Sequence, residues 1–201
     1  MKLAKVNNLL LALIILINGY IIVAPVLPEL SYSAGAHNRA KLQTELNSAV
    51  NKKQSSAIGA LANNGGGNRV IVPSMGLDEP IVDGPESQQY KILDKGSIWR
   101  FSWGSTPDKG SNTILIGHRF TYTNPRGVFY FINKVAVGDS IGVIWNNVVY
   151  KYQVVSTTEV PANDTSIEKP SKNPELTMFS CTPLWLPKNR QVVVADLMSQ
   201  S

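Results

Sequence analysis

The sequence is short of the residues that most often carry chemistry. It has one cysteine, Cys181, and two histidines, His37 and His118. A lone cysteine closes no internal disulfide, and one cysteine with one histidine in the body of the chain leaves too few ligands for a structural zinc site. Charge is sparse too: charged residues make up 16% of the 201 and hydrophobic ones 43%, a balance that fits neither a disordered chain nor a polytopic membrane protein. The formal charge of +5 does not signal a nucleic-acid partner, because of where it lies. Residues 1–67 hold six basic against two acidic residues, while residues 68–201 hold thirteen against twelve, a net of only +1. A nucleic-acid footprint needs clustered basic charge on the folded part, and that part is almost neutral. No internal repeat recurs at a fixed period.

The longest gap in charge runs from Val6 to Pro28. Its core, LLLALIILINGYIIVAPVL, reaches the roughly 20 residues of helix that cross a hydrocarbon layer. Lys2 and Lys5 precede it, so the positive-inside tendency keeps residues 1–5 cytoplasmic, makes 6–28 a single-pass plasma-membrane anchor and exports everything after it. The alternative is a cleaved signal peptide, for which Ala34-x-Ala36 offers a site. Residues 29–67 read as a stalk: Leu42, Leu46 and Val50 recur at helical spacing, and Gly/Asn-rich linker sequence follows. The domain then spans residues 68–201.

That domain is written in short β-rich runs punctuated by turn residues. RVIV, EPIVDG, NTILIG, ELTMFSCT and RQVVVADLM each read as a strand, and DSIGVIWNNVVYKYQVV reads as a hairpin turning at Asn146–Asn147. RGVFYFINKVAVGD is the best candidate for a short helical turn. Seven or eight short strands with little helix point to an all-β, closed barrel.

Three residues stand at strand ends, where a sheet fixes a side chain and loops shape a pocket around it. His118 ends the apolar run 114–116, Cys181 ends ELTMFSC, and Arg190 opens the last strand. A thiolate is the reactive form of cysteine, and a free thiol with a pKa near about 8.5 is mostly un-ionised at neutral pH. A neighbouring imidazole can take the proton or pair with the thiolate. A guanidinium keeps its charge and suits an oxyanion that develops during acyl transfer. Taken singly, each has a plainer reading: a small buried hydrophobe, a satisfied polar group, a charge flanking a strand.

Together they resemble a known family. LTMFSC resembles the TLxTC signature of the sortases, membrane-anchored cysteine transpeptidases of bacterial surfaces; IGHR resembles the segment around their histidine, and NRQVVVADL the strand that bears their arginine. RVIVPSMGLDEPIV and VGDSIGVIWNNVVYKYQV are similar to the family's first strands and to its Gly-Asp and hairpin region, so the resemblance covers residues 68–198. It leaves the subclass open, with classes D and E as candidates. It implies a sortase-type barrel of seven to eight strands with short helices, and His118, Cys181 and Arg190 as the catalytic trio. It implies Ser180 and Thr182 as substrate-binding neighbours of the cysteine. Ser180 stands where the signature has threonine, and Met178-Phe179 replace its smaller centre. The implied partners are surface proteins ending in an LPxTG-like sorting motif, and an amine acceptor on a cell-wall precursor or a pilin lysine. Segment 157–175 falls where the family's specificity loop lies. No cofactor is implied; some sortases bind calcium through acidic loop residues, but Asp164 and Glu168 are too few and too scattered here to make a site.

Two other readings compete. An L,D-type transpeptidase also uses cysteine and histidine, but its motif sets them within a few residues, whereas His118 and Cys181 are far apart. A membrane-tethered β-domain that only binds a surface partner needs no nucleophile, and would make the His/Cys/Arg set a coincidence.

Overall fold

The computed structural model of the chain describes residues 2–24, 26–51, 67–121, 125–184 and 188–200. Two compact units are distinguished, residues 1–38 and 39–201. The first holds helices α1 (Lys2–Val23) and α2 (Leu27–Ala34). The stretch Lys5–Val23 has a mean hydropathy of 2.2, and none of its residues is buried. Nineteen helical residues rise about 28 Å, close to the thickness of a hydrocarbon core.

The second unit is a closed barrel of eight strands: β1 (Arg69–Val72), β2 (Leu77–Asp83), β3 (Ile98–Arg100), β4 (Asn112–Ile116), β5 (Ser140–Trp145), β6 (Val148–Pro161), β7 (Glu175–Thr182) and β8 (Asn189–Gln200). Around the barrel they run β1-β2-β3-β4-β7-β8-β6-β5, with β5 pairing back onto β1. The β2/β3 and β4/β7 pairs are parallel and the rest antiparallel, so the barrel is mixed. The β5–β6 hairpin turns as the sequence predicts: Asn146 and Asn147 hold φ of 50° and 64°, the positive values that a tight hairpin turn needs.

Alternation explains both faces of the wall around β4, β7 and β8. Leu115, Leu176, Met178, Val193 and Ala195 point into the barrel core with Phe129 and Tyr152. The outward positions Ile114, Phe179 and Val192 are buried as well, under Phe101 and Ile167. A strand covered on both faces reads as a continuous apolar run, which is why ILI and VVV show no alternation. The cover comes from two connections. On one side the short helix α4 (Gln89–Leu93) packs Ile92 and Leu93 against Trp99, whose indole N–H donates to the Gly84 carbonyl. On the other, the β6–β7 connection is tied to the start of β4, with Asn112 Nδ2 donating to the Ile167 and Lys169 carbonyls and Ser111 Oγ to the Ser171 carbonyl. This connection is shorter than the 157–175 segment read from sequence, because β6 continues to Pro161.

The start of the barrel unit also moves. Sequence reading places it near Asn68, after a stalk, yet residues from Arg39 onward in helix α3 (Ala36–Asn51) belong to the compact unit. Leu46 and Ala49 are fully buried against Ile71, Ile144 and Val149 on the outside of the barrel, and Lys151 Nζ donates to Asn47 Oδ1 at 2.9 Å. Gly142 makes room, since a Cβ there would collide with Leu46. The Gly/Asn-rich linker itself, 52–66, lies outside the described residues.

Candidate active site

The β4/β7 ladder sets the site. Every rung pairs a β4 residue with the residue 63 positions later, from Asn112↔Glu175 to Ile116↔Phe179. β4 ends at Ile116, but β7 continues to Thr182. Carried three rungs further, the same offset sets Gly117 beside Ser180, His118 beside Cys181 and Arg119 beside Thr182. The first and third of these rungs are hydrogen-bonded through side chains: Ser180 Oγ donates to the Gly117 carbonyl at 2.6 Å, and Arg119 Nη1 donates to Thr182 Oγ1 at 3.0 Å. On the opposite side of β7, Cys181 pairs with Arg190 in the antiparallel β7/β8 ladder. Residues paired across neighbouring strands project to the same face. Cys181 therefore stands between His118 and Arg190, and all three line one cleft of about 320 Å3.

Arg190 Nη1 lies 3.5 Å from Cys181 Sγ, within reach of an N–H···S contact, and also donates to the Asn189 carbonyl. The apolar lining of the cleft includes Trp99, Phe101, Ile116 and Phe179; Tyr90 of α4 and Ile167 of the β6–β7 connection border it from the two covering segments.

The backbone around His118 is pinned from a second direction. Phe129 N–H donates to the His118 carbonyl at 2.9 Å and Gly127 N–H to the Arg119 carbonyl at 3.1 Å. The approach is so close that a Cβ at Gly127 would collide with the His118 carbonyl, and one at Gly117 would lie 2.7 Å from Val128 Cγ1. The apolar run thus ends in glycine because the 127–129 turn passes directly over it. Asp94 Oδ1 sits 3.4 Å from His118 Nε2 without the alignment of a hydrogen bond, and Nε2 has no hydrogen-bond partner. Asp94 is mostly exposed, so solvent screens its charge.

Further charges lie in and around the cleft. Glu168 lines it, and burial there raises its carboxyl above the ordinary range; the charge of Arg190 pulls the other way, while Glu86 adds to the rise. Burial also lowers the Arg119 guanidinium, against the opposing influence of Tyr130 and Glu159. Asp164 is held low, chiefly by its hydrogen bonds with Ser166. Among the described residues no three His, Cys, Asp or Glu side chains are grouped to hold a metal ion.

The structure brings His118, Cys181 and Arg190 together in the cleft, and gives the Ser180 and Thr182 hydroxyls hydrogen-bond partners on the β4 side. Ser180 is buried and its hydroxyl is committed to Gly117; Thr182 is buried, receives Arg119 and does not line the cleft. Both hydroxyls continue the ladder past its last backbone rung, and Ser180 also lines the cleft. Sequence reasoning gave Arg119 no role, although it lies inside the IGHR segment. It also gave none to α4, whose five residues are too few to show helical periodicity.

Comparison with known proteins follows the same geometry. A family model described as a sortase domain matches residues 70–198. Sortase D of Bacillus subtilis (strain 168) is 27% identical over 113 residues, which is 56% of this chain and 52% of the relative, so the match spans about half that protein's length. Among solved structures, sortase E1 from Streptomyces coelicolor with a tripeptide in its active site is 26% identical, with a TM-score of 0.53 over 66% of this chain and 88% of that one. A Clostridium perfringens sortase D5 transpeptidase shares the fold at 20% identity, with a TM-score of 0.57 over 81% of this chain and 99% of that one.

Proposed function

The chain belongs to the sortase family of cysteine transpeptidases, and on that premise we propose that it cleaves an LPxTG-like C-terminal sorting motif and transfers the protein to a surface amine. Cys181 Sγ, as thiolate, attacks the carbonyl carbon of the motif's threonine-like residue. The oxyanion that forms is met by the Arg190 guanidinium. Collapse breaks the peptide bond; the leaving amine takes a proton from His118, and a thioester remains on Cys181. An incoming amine then attacks the thioester and gives its proton to His118, which restores the imidazolium and expels the Cys181 thiolate. Each turnover exchanges one amide bond for another, with no net redox change. The acceptor amine belongs to a cell-wall precursor or a pilin lysine.

The observation that carries this reading is the continued β4/β7 ladder, which sets His118 beside Cys181, with Arg190 3.5 Å from the sulfur on the other side. The apolar helix ahead of the domain supports a plasma-membrane anchor with the catalytic domain outside, and Lys2 and Lys5 support the orientation. The test is mass spectrometry of the full chain in detergent after incubation with a library of sorting peptides. A mass gain equal to the acyl fragment, discharged by added amine, is expected. Cys181→Ala should abolish it, and Cys181→Ser should lose nearly as much, because an alkoxide is far harder to form at neutral pH. Cleavage retained in the alanine variant would remove the reading.

A further inference from the structure

We propose that Arg119 is a positioning residue that holds His118 opposite Cys181 through Thr182. The inference rests on the catalytic reading of His118 and Cys181 given above. The backbone ladder between β4 and β7 stops at Ile116, two residues short of His118. At about 3.3 Å per residue, the imidazole-bearing Cα lies roughly 6–7 Å beyond the last backbone rung. A side chain on an unsupported extension does not keep the sub-ångström placement that proton transfer needs. Here the extension is clasped on both sides of the histidine. Ser180 holds Gly117 before it, and Arg119 reaches Thr182 after it, with both pairs keeping the 63-residue offset of the ladder.

Arg119 makes a second connection: its Nε donates to the Tyr130 carbonyl at 3.3 Å. One guanidinium therefore links the chain just past His118, the strand end just past Cys181, and the turn whose N–H groups cap the His118 and Arg119 carbonyls. Arg119 is half-buried and does not line the cleft, so it is not placed to touch substrate. A guanidinium taken partly out of water costs desolvation that a mere filler would avoid. Its planar fork spans two acceptors in fixed directions, which an ammonium on a flexible stem does not do.

The test uses the full chain in detergent and reads two quantities. The first is turnover of the best peptide from the acylation screen. Arg119→Gln should lower kcat about 10- to 100-fold with KM within about twofold, the pattern of a displaced catalytic group with an intact cleft. Thr182→Val, which keeps the shape and removes the acceptor, should give a similar loss; Thr182→Ser should lose less, and Arg119→Lys should recover little. The double variant Arg119→Gln/Thr182→Val should be no worse than Arg119→Gln alone, because the contact between them is then already gone. The second quantity needs no peptide: the rate of Cys181 alkylation by iodoacetamide against pH. In Arg119→Gln and Thr182→Val this profile should move toward that of His118→Ala.

Additive losses, a loss confined to KM, or an unmoved alkylation profile in variants that melt as wild type does would each overturn the proposal. Should Arg119→Gln not fold, Thr182→Val carries both measurements alone. Failure of the parent reading looks different, since Cys181→Ala would then keep its activity whatever Arg119 does.

Discussion

At the scale of single residues, the proposed mechanism has groups that meet the reaction and groups that hold them. His118→Ala should lower turnover by about 10²–10⁴, the usual cost of a lost general acid. Arg190→Ala should lower it by about 10²–10³, the cost of a lost oxyanion donor. Arg190→Lys should restore little, because an ammonium lacks the planar fork. Thermal melting beside steady-state kinetics checks these, since neither side chain belongs to a core cluster; loss that merely tracks unfolding would make either residue structural. Glu168 supplies a prediction of stability. Its carboxyl is raised in the folded state, so between its ordinary value of 4.5 and the raised one the folded chain binds more protons than the unfolded chain. Stability from this group therefore falls as pH rises through that window. Glu168→Gln removes the penalty: its melting temperature should equal wild type below about pH 4 and exceed it increasingly toward neutrality, with differential scanning calorimetry across pH as the check. A constant difference at every pH would mean that the carboxyl acts through shape alone.

At the scale of elements, helix α3 offers a test of how the barrel recruits its neighbours. Leu46→Ala removes a fully buried side chain and should cost about 2–5 kcal/mol in urea unfolding. Gly142→Ala forces a methyl against Leu46 and should cost about 1–3 kcal/mol. The double variant should be less damaged than the two losses added, since the new methyl enters the space Leu46 leaves. Activity per folded molecule should hold throughout, because no α3 residue lines the cleft. Additive losses would place the helix contact elsewhere.

The same helix shows where legibility ends. The spacing of Leu42 and Leu46 announces a helix, but its docking depends on Gly142 in strand β5, and no local pattern joins them. β3 and α4 escape sequence reading because three and five residues carry too little periodicity. By contrast NTILI, ELTMFSCT and RQVVVADLM are legible as strands, being apolar on both faces, and His118, Cys181 and Arg190 are legible because they close or open those runs. What a hydroxyl bonds to is not written locally, so the pairing of Ser180 with Gly117 and of Thr182 with Arg119 emerges only from the ladder.

At the scale of the whole molecule, three adjacent strands β4, β7 and β8 gather residues that the chain delivers at very different moments. A ribosome completes His118 well before Cys181, and Arg190 belongs to the final strand. The parallel β4/β7 pairing is non-local and cannot form until the second partner exists; such contacts are slow because loop entropy is lost before they reward it. After dilution from urea, tryptophan fluorescence and the native pH profile of Cys181 alkylation should therefore return on a single time course, and a native profile that precedes the fluorescence would show the pair forming without the barrel. A chain in which β7 and β8 are not yet paired leaves Cys181 without its His118 and Arg190 neighbours. On the proposed mechanism, chemistry therefore waits on the pairing of β7 with both β4 and β8, and a chain caught before that pairing is silent.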